Sequence, residues 1–532
     1  MEPYPPTVST EHERHLLDVA SDYSLSHGLV LRPVAASPSS QLDTTSSIHA
    51  PYSLYPCPYP RHLFDHALSL QQAYNQLYAR ITTDDAFLDD VVGGAVAKVD
   101  EFQGKLYEIW TQVKREGVKQ PITLGIFRSD YLIHAPEGTD AKDWEIKQVE
   151  FNTISASFAA LSTRVGQMHR YLLESGHYPS HRLLSPSALP RNAALEGIAA
   201  GIAAAHEAYG NPDAVVLMVI QDGERNAFDQ RLIEWEVVQR HGVKLLRVPF
   251  SSLRTTLELS SDSKLLYTPS VPFPSSTGRT ALEVSLVYYR TAYAPTDYYT
   301  SQEWDTRLLI ERSCAIKCPS VAMQLAGAKK VQQVLADRTR LERFFGKDVR
   351  GGAEQGGQAN EREMEDRLFE SFTGLWPMDD SPLGLEGQRR ARDEPQHYVL
   401  KPQREGGGNN IYRRDIPTFL DQLEREDEAR RIGPGEPKGR EGYILMSLIE
   451  PPKDQRQAIV KAGEREARHA DVVSELGVYG VVLLKEGGVG SNDKDEVLRN
   501  ETVGHLLRTK GRESDEGGIA VGHSCLDSVL LF

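Results

Sequence analysis

Ten consecutive residues, Lys401-Pro402-Gln403-Arg404-Glu405-Gly406-Gly407-Gly408-Asn409-Asn410, combine two cations, a carboxylate, three glycines and three amides. Three glycines in a row carry no Cβ, so the backbone can close on a ligand and turn its N–H groups inward. Lys401 and Arg404 suit phosphate oxygens, and Glu405 suits a hard cation such as magnesium. The set points to a nucleotide triphosphate with its metal. A flexible surface loop is the bland alternative, because glycine is common in turns. The flanks favour the ligand: Tyr398-Val399-Leu400 reads as a short buried strand, and Ile411-Tyr412 follows. The spacing is neither a Walker A loop nor the dinucleotide fingerprint.

A second motif is Glu150-Phe151-Asn152-Thr153-Ile154-Ser155-Ala156-Ser157. In a strand, Glu150 and Asn152 point to one face and present a carboxylate beside an amide oxygen, both hard ligands for magnesium. Ser155 and Ser157 add hydroxyls for a polar substrate. A hydrogen-bonding role at a strand end is the alternative. Gln221-Asp222-Gly223-Glu224-Arg225-Asn226 follows an apolar strand, where open α/β sheets bind ligands, and is read as a substrate loop or a soluble turn. Arg290 and Arg128 also follow strands. The planar fork of arginine suits a carboxylate there, against a structural ion pair. Arg508 and Lys510, followed by Gly517 to Gly522, could close over an anion or form a basic turn with a flexible tail. No activated nucleophile is recognisable. A polar set of Lys, Arg, Glu, Asn and Gly favours chemistry by positioning and charge neutralisation, as in phosphoryl transfer.

The elements that must position these residues read as α/β. Residues 60–116 have helical periodicity. Strands are expected at 122–127, 145–152, 214–220, 244–248 and 285–289, with helices at 193–209 and 229–241. Residues 307–335 read as helix in two pieces broken near Pro319. Residues 1–60 are rich in Pro, Ser and Tyr and read as a partly irregular wrap. The charged stretches 351–366 and 425–441 read as mobile surface insertions.

The chain has 532 residues, 40% hydrophobic and 25% charged, as for a globular enzyme of two or more lobes. A net charge of −15 argues against nucleic acid as a partner. Four scattered cysteines exclude a disulfide framework. Neither a signal peptide nor an apolar run of membrane-spanning length is seen, so a cytoplasmic protein without a membrane partner is expected.

Taken in order, Glu150 to Phe158, Glu224 to Arg231, Glu311 to Pro319, Gln324 to Gln333, Lys401 to Asn410, Ser474 to Gly477 and Gly504 to Lys510 resemble the eukaryotic glutathione synthetases over nearly the whole chain. The resemblance implies an α/β fold of ATP-grasp architecture, with a glycine-rich lid and an additional α/β substrate-binding lobe. It implies a homodimer that joins γ-glutamylcysteine to glycine with ATP and Mg2+. The domains are then 1–60, a wrap; 61–210, a helical segment and the first part of the ATP-grasp core; 211–325, the substrate lobe; and 326–532, the rest of the core with the lid. The implied metal ligands are Glu150, Asn152 and Glu405. ATP is implied at Glu150, Lys329, Lys401, Gly406, Gly407, Gly408, Asn409, Asn410, Tyr412, Met446, Ile449, Glu475 and Lys510. The dipeptide and glycine are implied at Arg128, Ser155, Ser157, Gln221, Glu224, Asn226, Arg290, Tyr293 and Arg508, with Ile519 and Ala520 at the glycine end. Arg508, Lys401 and Glu405 are the implied catalytic residues. Ser447 stands where the animal enzymes have Glu, and Ala159-Ala160 where a Gly pair is usual. A ligase adding β-alanine or serine, and a silent nucleotide-binding scaffold, are the rival expectations.

Overall fold

The apolar run after Asp213 forms a strand, Val215–Ile220, buried on both faces as an unbroken hydrophobic pattern requires. Val215, Leu217 and Val219 enter one core, and Val216 and Met218 the other. The strand pairs in parallel with Leu245–Pro249 on one side and Leu282–Tyr289 on the other. Leu282–Tyr289 pairs in parallel with Ile316–Cys318, which meets the start of a long central strand, Ile122–His134. Beyond the central strand the order becomes antiparallel: Ala467–Lys485, then Glu496–Gly511, then Ser524–Asp527. These strands belong to a single sheet of thirteen. Glu145–Asn152 pairs antiparallel with the last half of the central strand. These coordinates are a computed structural model that describes residues 3–34, 43–271, 280–345, 357–433, 435–487, 495–515, 518–519 and 522–532.

Helices cover both faces. Arg61–Thr83 and Glu101–Glu116 bury Leu70, Leu77, Leu106 and Ile109 in the core that holds Phe127 and Phe151. Ala159–Glu174, Ala194–Tyr209 and Ala227–His241 pack on the core that holds Leu124, Ile126, Val481 and Leu483. Gly201 lies in the Ala-rich helix with no room for a methyl, since a Cβ there would come 2.6 Å from Val481.

A second, four-stranded antiparallel sheet is ordered Leu375–Pro377, Tyr443–Ser447, Tyr398–Pro402, Ile411–Tyr412. Its alternation is plain. Tyr398, Leu400 and Leu445 pack with Ile416, Leu420 and Leu423 of the helix Asp415–Arg430, while Val399, Ile444 and Met446 join the main core.

Several expected elements differ. Arg128 to Tyr131 lies inside the central strand, not beyond its end, because pairing on both sides extends that strand to His134. Gly504 to Lys510 is likewise strand rather than turn. The wrap at 1–60 contains an 18-residue helix, Thr10–His27. Ser9 caps its start and Gly28 its end at φ 78, and Leu16, Leu17 and Ala20 anchor it. The stretch 307–335 holds a strand, Ile316–Cys318, between helices Ser301–Glu311, Val321–Ala326 and Lys329–Leu335. Within the first charged insertion, Gly357–Ser371 is helix and residues 351–356 lie outside the described residues. In the second, the helix Asp415–Arg430 takes up residues 425–430.

Candidate functional site

Strand register assembles the site. Directly paired residues of antiparallel strands point to one face. Arg128 of the central strand stands opposite Asn152 on one side and Tyr479 on the other, and Asp130 stands opposite Glu150 and Gly477. One step further, Leu132 stands opposite Glu475, which itself faces Arg508. Arg128, Glu150, Asn152, Glu475 and Arg508 therefore project from four adjacent strands onto one surface. That surface floors a cavity of about 490 Å³.

One wall comes from loops at strand ends. After Asn152 the chain turns through Ser155 at φ 53 and Phe158 at φ 73, left-handed conformations that non-glycine residues rarely adopt. Asp229 holds this turn. Its carboxylate accepts the backbone N–H groups of Phe158 at 3.0 Å, Ala160 at 2.9 Å and Leu161 at 3.3 Å. Ser155 Oγ donates towards the carbonyls of Tyr289 and Thr291, and Ser157 Oγ to that of Ser155. Arg290 donates from Nη2 to Asp229 at 2.7 Å. Glu224 accepts from the Asn226 backbone and from Gln230, and Gln221 donates to the Tyr293 hydroxyl and to Asp297. Among the described residues, Nε and Nη1 of Arg290 and Oδ1 of Asn226 are buried without hydrogen-bond partners. Both residues line the cavity. Buried unpaired polar atoms are costly, so these are where a polar ligand gains most.

The opposite wall and roof come from the small sheet. Val399 and Lys401 face the cavity while Tyr398 and Leu400 face away. Met446, Ser447 and Ile449 line the same wall. Lys401 Nζ donates to the Val149 carbonyl at 2.9 Å, and burial pushes its ammonium down to about 8. Gly406, Gly407 and Gly408 have φ of 93°, 73° and 74°. All three are left-handed, which explains why glycine occupies each position. Gly406, Gly407, Asn410 and Tyr412 line the cavity. At the far rim, Glu475 accepts from Arg508, Lys510 donates to the Asp515 carbonyl at 2.8 Å, and Ile519 closes the end.

Three expected residues stand elsewhere. Gly408 and Asn409 are exposed outside the cavity lining, and Lys329 packs behind it. Lys329 Nζ lies 3.0 Å from Glu150 and 3.0 Å from Glu405, so it ties the floor to the roof. Ala520 lies outside the described residues. Asp130, Asp229, Gly477 and the pair Arg413–Asp515 were not singled out from sequence. Asp130 could have been, as the second residue of a period-2 pair with Arg128.

Glu150, Glu405 and Asn152 fit a divalent cation. Both carboxylates converge on one cationic group, the Lys329 ammonium. Burial and the Glu150 charge push the Glu405 carboxyl up to about 7. Burial acts on Glu150 too, but the cations Lys329, Lys401 and Arg508 outweigh it and hold its pKa low. A cation placed between them would relieve the repulsion. Asn152 spends its amide N–H groups on the Arg128 carbonyl and Asp130, which turns its carbonyl end to the cavity as an acceptor.

The sequence profile described as "Eukaryotic glutathione synthase, ATP binding domain" matches residues 10–531. The chain is 36% identical to the glutathione synthetase large chain of Schizosaccharomyces pombe, covering 96% of each. It is 35% identical to a chloroplastic glutathione synthetase of Arabidopsis thaliana, covering 98% of this chain and 86% of that one. A solved glutathione synthetase-like effector from Globodera pallida, in its apo form, shares the fold with a TM-score of 0.70 over 99% of this chain and 98% of that one, at 21% identity. With a profile spanning almost every residue and relatives of this similarity over full length, the chain belongs to the eukaryotic glutathione synthetase family.

Proposed function

We propose that this protein is a glutathione synthetase, ligating γ-glutamylcysteine to glycine at the cost of ATP. The observation that supports the reading is the convergence in one cavity of Glu150, Lys401, Glu405 and Arg508 with the unpaired groups of Arg290 and Asn226. One end of the cavity suits phosphates and a metal. The other suits a zwitterionic peptide.

The chemistry follows from charge. The cysteinyl carboxylate of the dipeptide attacks the γ-phosphorus of ATP, the bond to the bridging oxygen breaks, and ADP leaves. The glycine amine then attacks the acyl carbon and inorganic phosphate leaves. Lys401 and Arg508 stabilise the negative charge that builds during both steps. Glu150, Asn152 and Glu405 would hold magnesium, which when bound would supply further neutralisation of phosphate charge. Lys329, Lys510, Glu475, Tyr412, Met446, Ile449 and the 406–410 loop take ATP. Arg128, Ser155, Ser157, Gln221, Glu224, Asn226, Arg290 and Tyr293 take the dipeptide, and Ile519 lies at the glycine end.

In this reading the small sheet with the 406–410 loop is the lid of an ATP-grasp core built from 61–210 and 326–532. The parallel strands of 211–325 are the substrate lobe, and residues 1–60 wrap the core. The lid excludes water that would otherwise hydrolyse the acyl phosphate. A homodimer in the cytoplasm completes the proposal. No helix of the described residues is long and apolar enough to cross a membrane.

The test is phosphate release from ATP with magnesium and γ-glutamylcysteine, with and without glycine, and the product mass. Glycine-dependent release with the mass of glutathione is expected. Release with β-alanine or serine but not glycine moves the specificity; ATP binding without turnover on any acceptor overturns the reading.

A further inference from the structure

Asp130 is fully buried in the middle of the central strand, and it does not line the cavity. Its carboxylate accepts four hydrogen bonds from three side chains on three strands. Arg128 donates from Nε to Oδ1 at 2.6 Å and from Nη2 to Oδ2 at 2.8 Å. Asn152 Nδ2 donates to Oδ2 at 3.0 Å, and Arg508 Nη2 to the same oxygen at 3.0 Å. Each of the three donors lines the cavity. The one carboxylate thus stands behind the groups assigned above to the dipeptide, the metal and the transferring phosphoryl group.

The arrangement depends on Gly477. Arg128 and Asp130 are two residues apart on one strand face, and their fork-to-carboxylate contact lies flat along the sheet. Gly477 sits directly opposite Asp130 on the neighbouring strand. A Cβ at Gly477 would come 2.7 Å from both Arg128 Cδ and Asp130 Oδ1. Side-chain space on that strand is therefore left empty where the ion pair lies. Without Asp130, two guanidinium groups that share one oxygen would repel, and Asn152 would lose the acceptor that fixes its amide orientation.

We propose that Asp130, seated by Gly477, is a positioning residue for the ligation, the shared carboxylate that aims Arg128, Asn152 and Arg508 at the substrates. This rests on the ligase reading above. Its action runs through the three donors, since it touches no substrate itself.

Steady-state kinetics of the full chain test it, with wild type, Asp130→Asn, Gly477→Ala, Arg128→Met and the double variant Asp130→Asn/Arg128→Met. An asparagine keeps the volume but brings an N–H against a donor. Asp130→Asn is expected to lose about a hundredfold in kcat/KM for γ-glutamylcysteine. In the double variant the losses fall well short of multiplying, because the two residues act as one unit. A general destabilisation would instead give losses that multiply. Gly477→Ala keeps every charge and is expected to lose about tenfold, through displacement of Arg128 and Asp130. It decides the matter if Asp130→Asn does not fold. Multiplicative losses, or activity within threefold of wild type in Asp130→Asn or Gly477→Ala, overturn the proposal while leaving the ligase reading intact. Wild-type protein that forms no peptide product overturns the ligase reading and this proposal with it.

Discussion

Arg128, Asn152 and Arg508 stand on strands paired on both sides or against the central strand, and each is held by side-chain bonds to a carboxylate that is itself fully buried. Gly406 to Asn409, on the other side of the cavity, are exposed, and Asn409 donates to the carbonyl of its neighbour Gly407. The floor is over-determined: register, packing and ion pairs all specify the same geometry. The roof is anchored at its base, where Arg404 meets Asp100 and Glu405 meets Lys329, and again at Tyr412 and Arg413, which meet Asp515; the glycines lie exposed between. Charge that must be stabilised in a transition state is best met by groups already in place. Substrates that must enter and leave are best covered by something that moves. The cavity divides these two demands between two sheets.

The largest effect is expected from breaking the floor. Arg508→Ala removes a cation from two carboxylates: the buried Asp130 keeps Arg128 and Asn152, and the partly buried Glu475 loses this ion pair. Turnover should fall by about a thousandfold, with a clear loss of stability as well. The ligation rate and the denaturant midpoint read the two effects. A fall in only one of them would mean that Arg508 serves catalysis or structure but not both.

The roof should respond differently. Gly407 has φ 73, which costs an alanine about 1–2 kcal/mol. Because the loop is exposed, the chain can shed that strain by rearranging locally rather than by unfolding. Gly407→Ala is therefore expected to raise the KM for ATP about tenfold while leaving the melting temperature unchanged. A lowered melting temperature with normal KM would erase the contrast between floor and roof.

A pH profile probes their junction. Burial holds the Lys401 ammonium down to about 8, against an ordinary value of 10.5. The protonated form is the one that attracts phosphate. In the free enzyme it prevails below pH 8 and is lost above it. The value of kcat/KM for ATP should therefore fall about tenfold per unit above about pH 8, and on the acid side it should fall below about pH 7, where the Glu405 carboxyl takes up a proton. The upper break should vanish in Lys401→Met, whose activity is lower throughout.

Much of this architecture was legible in the sequence. The strand Glu145–Asn152 and the buried strand Val215–Ile220 follow from local pattern, since period-2 alternation and an unbroken apolar run each leave few alternatives. What escaped was set by non-local pairing. Arg128 and Asp130 interrupt an apolar run, so local pattern ends the strand at Phe127. Partners more than three hundred residues away, such as Gly477 and Glu475, carry it on to Leu132, and the strand starting at Glu145 carries it to His134. The charge run at 425–441 misled for another reason. Ile416, Leu420 and Leu423 are buried at helical spacing, and the charges from Arg425 to Arg430 belong to the same helix. The glycine triplet was visible as a loop. That all three residues are left-handed was not, because no residue type encodes φ alone.

The smallest effect concerns the tie between the roof and the opposite rim. Arg413, itself at φ 49, meets both carboxylate oxygens of Asp515 at 2.7 and 2.8 Å. Both side chains are nearly half exposed, at 47% and 44%. An ion pair so solvated adds little to stability, so Arg413→Ala should shift unfolding by less than about 1 kcal/mol. Its place is more telling than its strength, because Tyr412 and Lys510 also donate to the Asp515 carbonyl. Among the described residues, the roof and the rim loop thus meet at Asp515 above the cavity. Loosening that joint should admit water to an acyl phosphate before glycine reaches it. The expected signature is a ratio of phosphate released to peptide formed that rises above one in Arg413→Ala, by up to about twofold, at nearly unchanged kcat. A ratio fixed at one would mean that the roof closes without this pair, and that its hinge at Arg404 and Glu405 is sufficient.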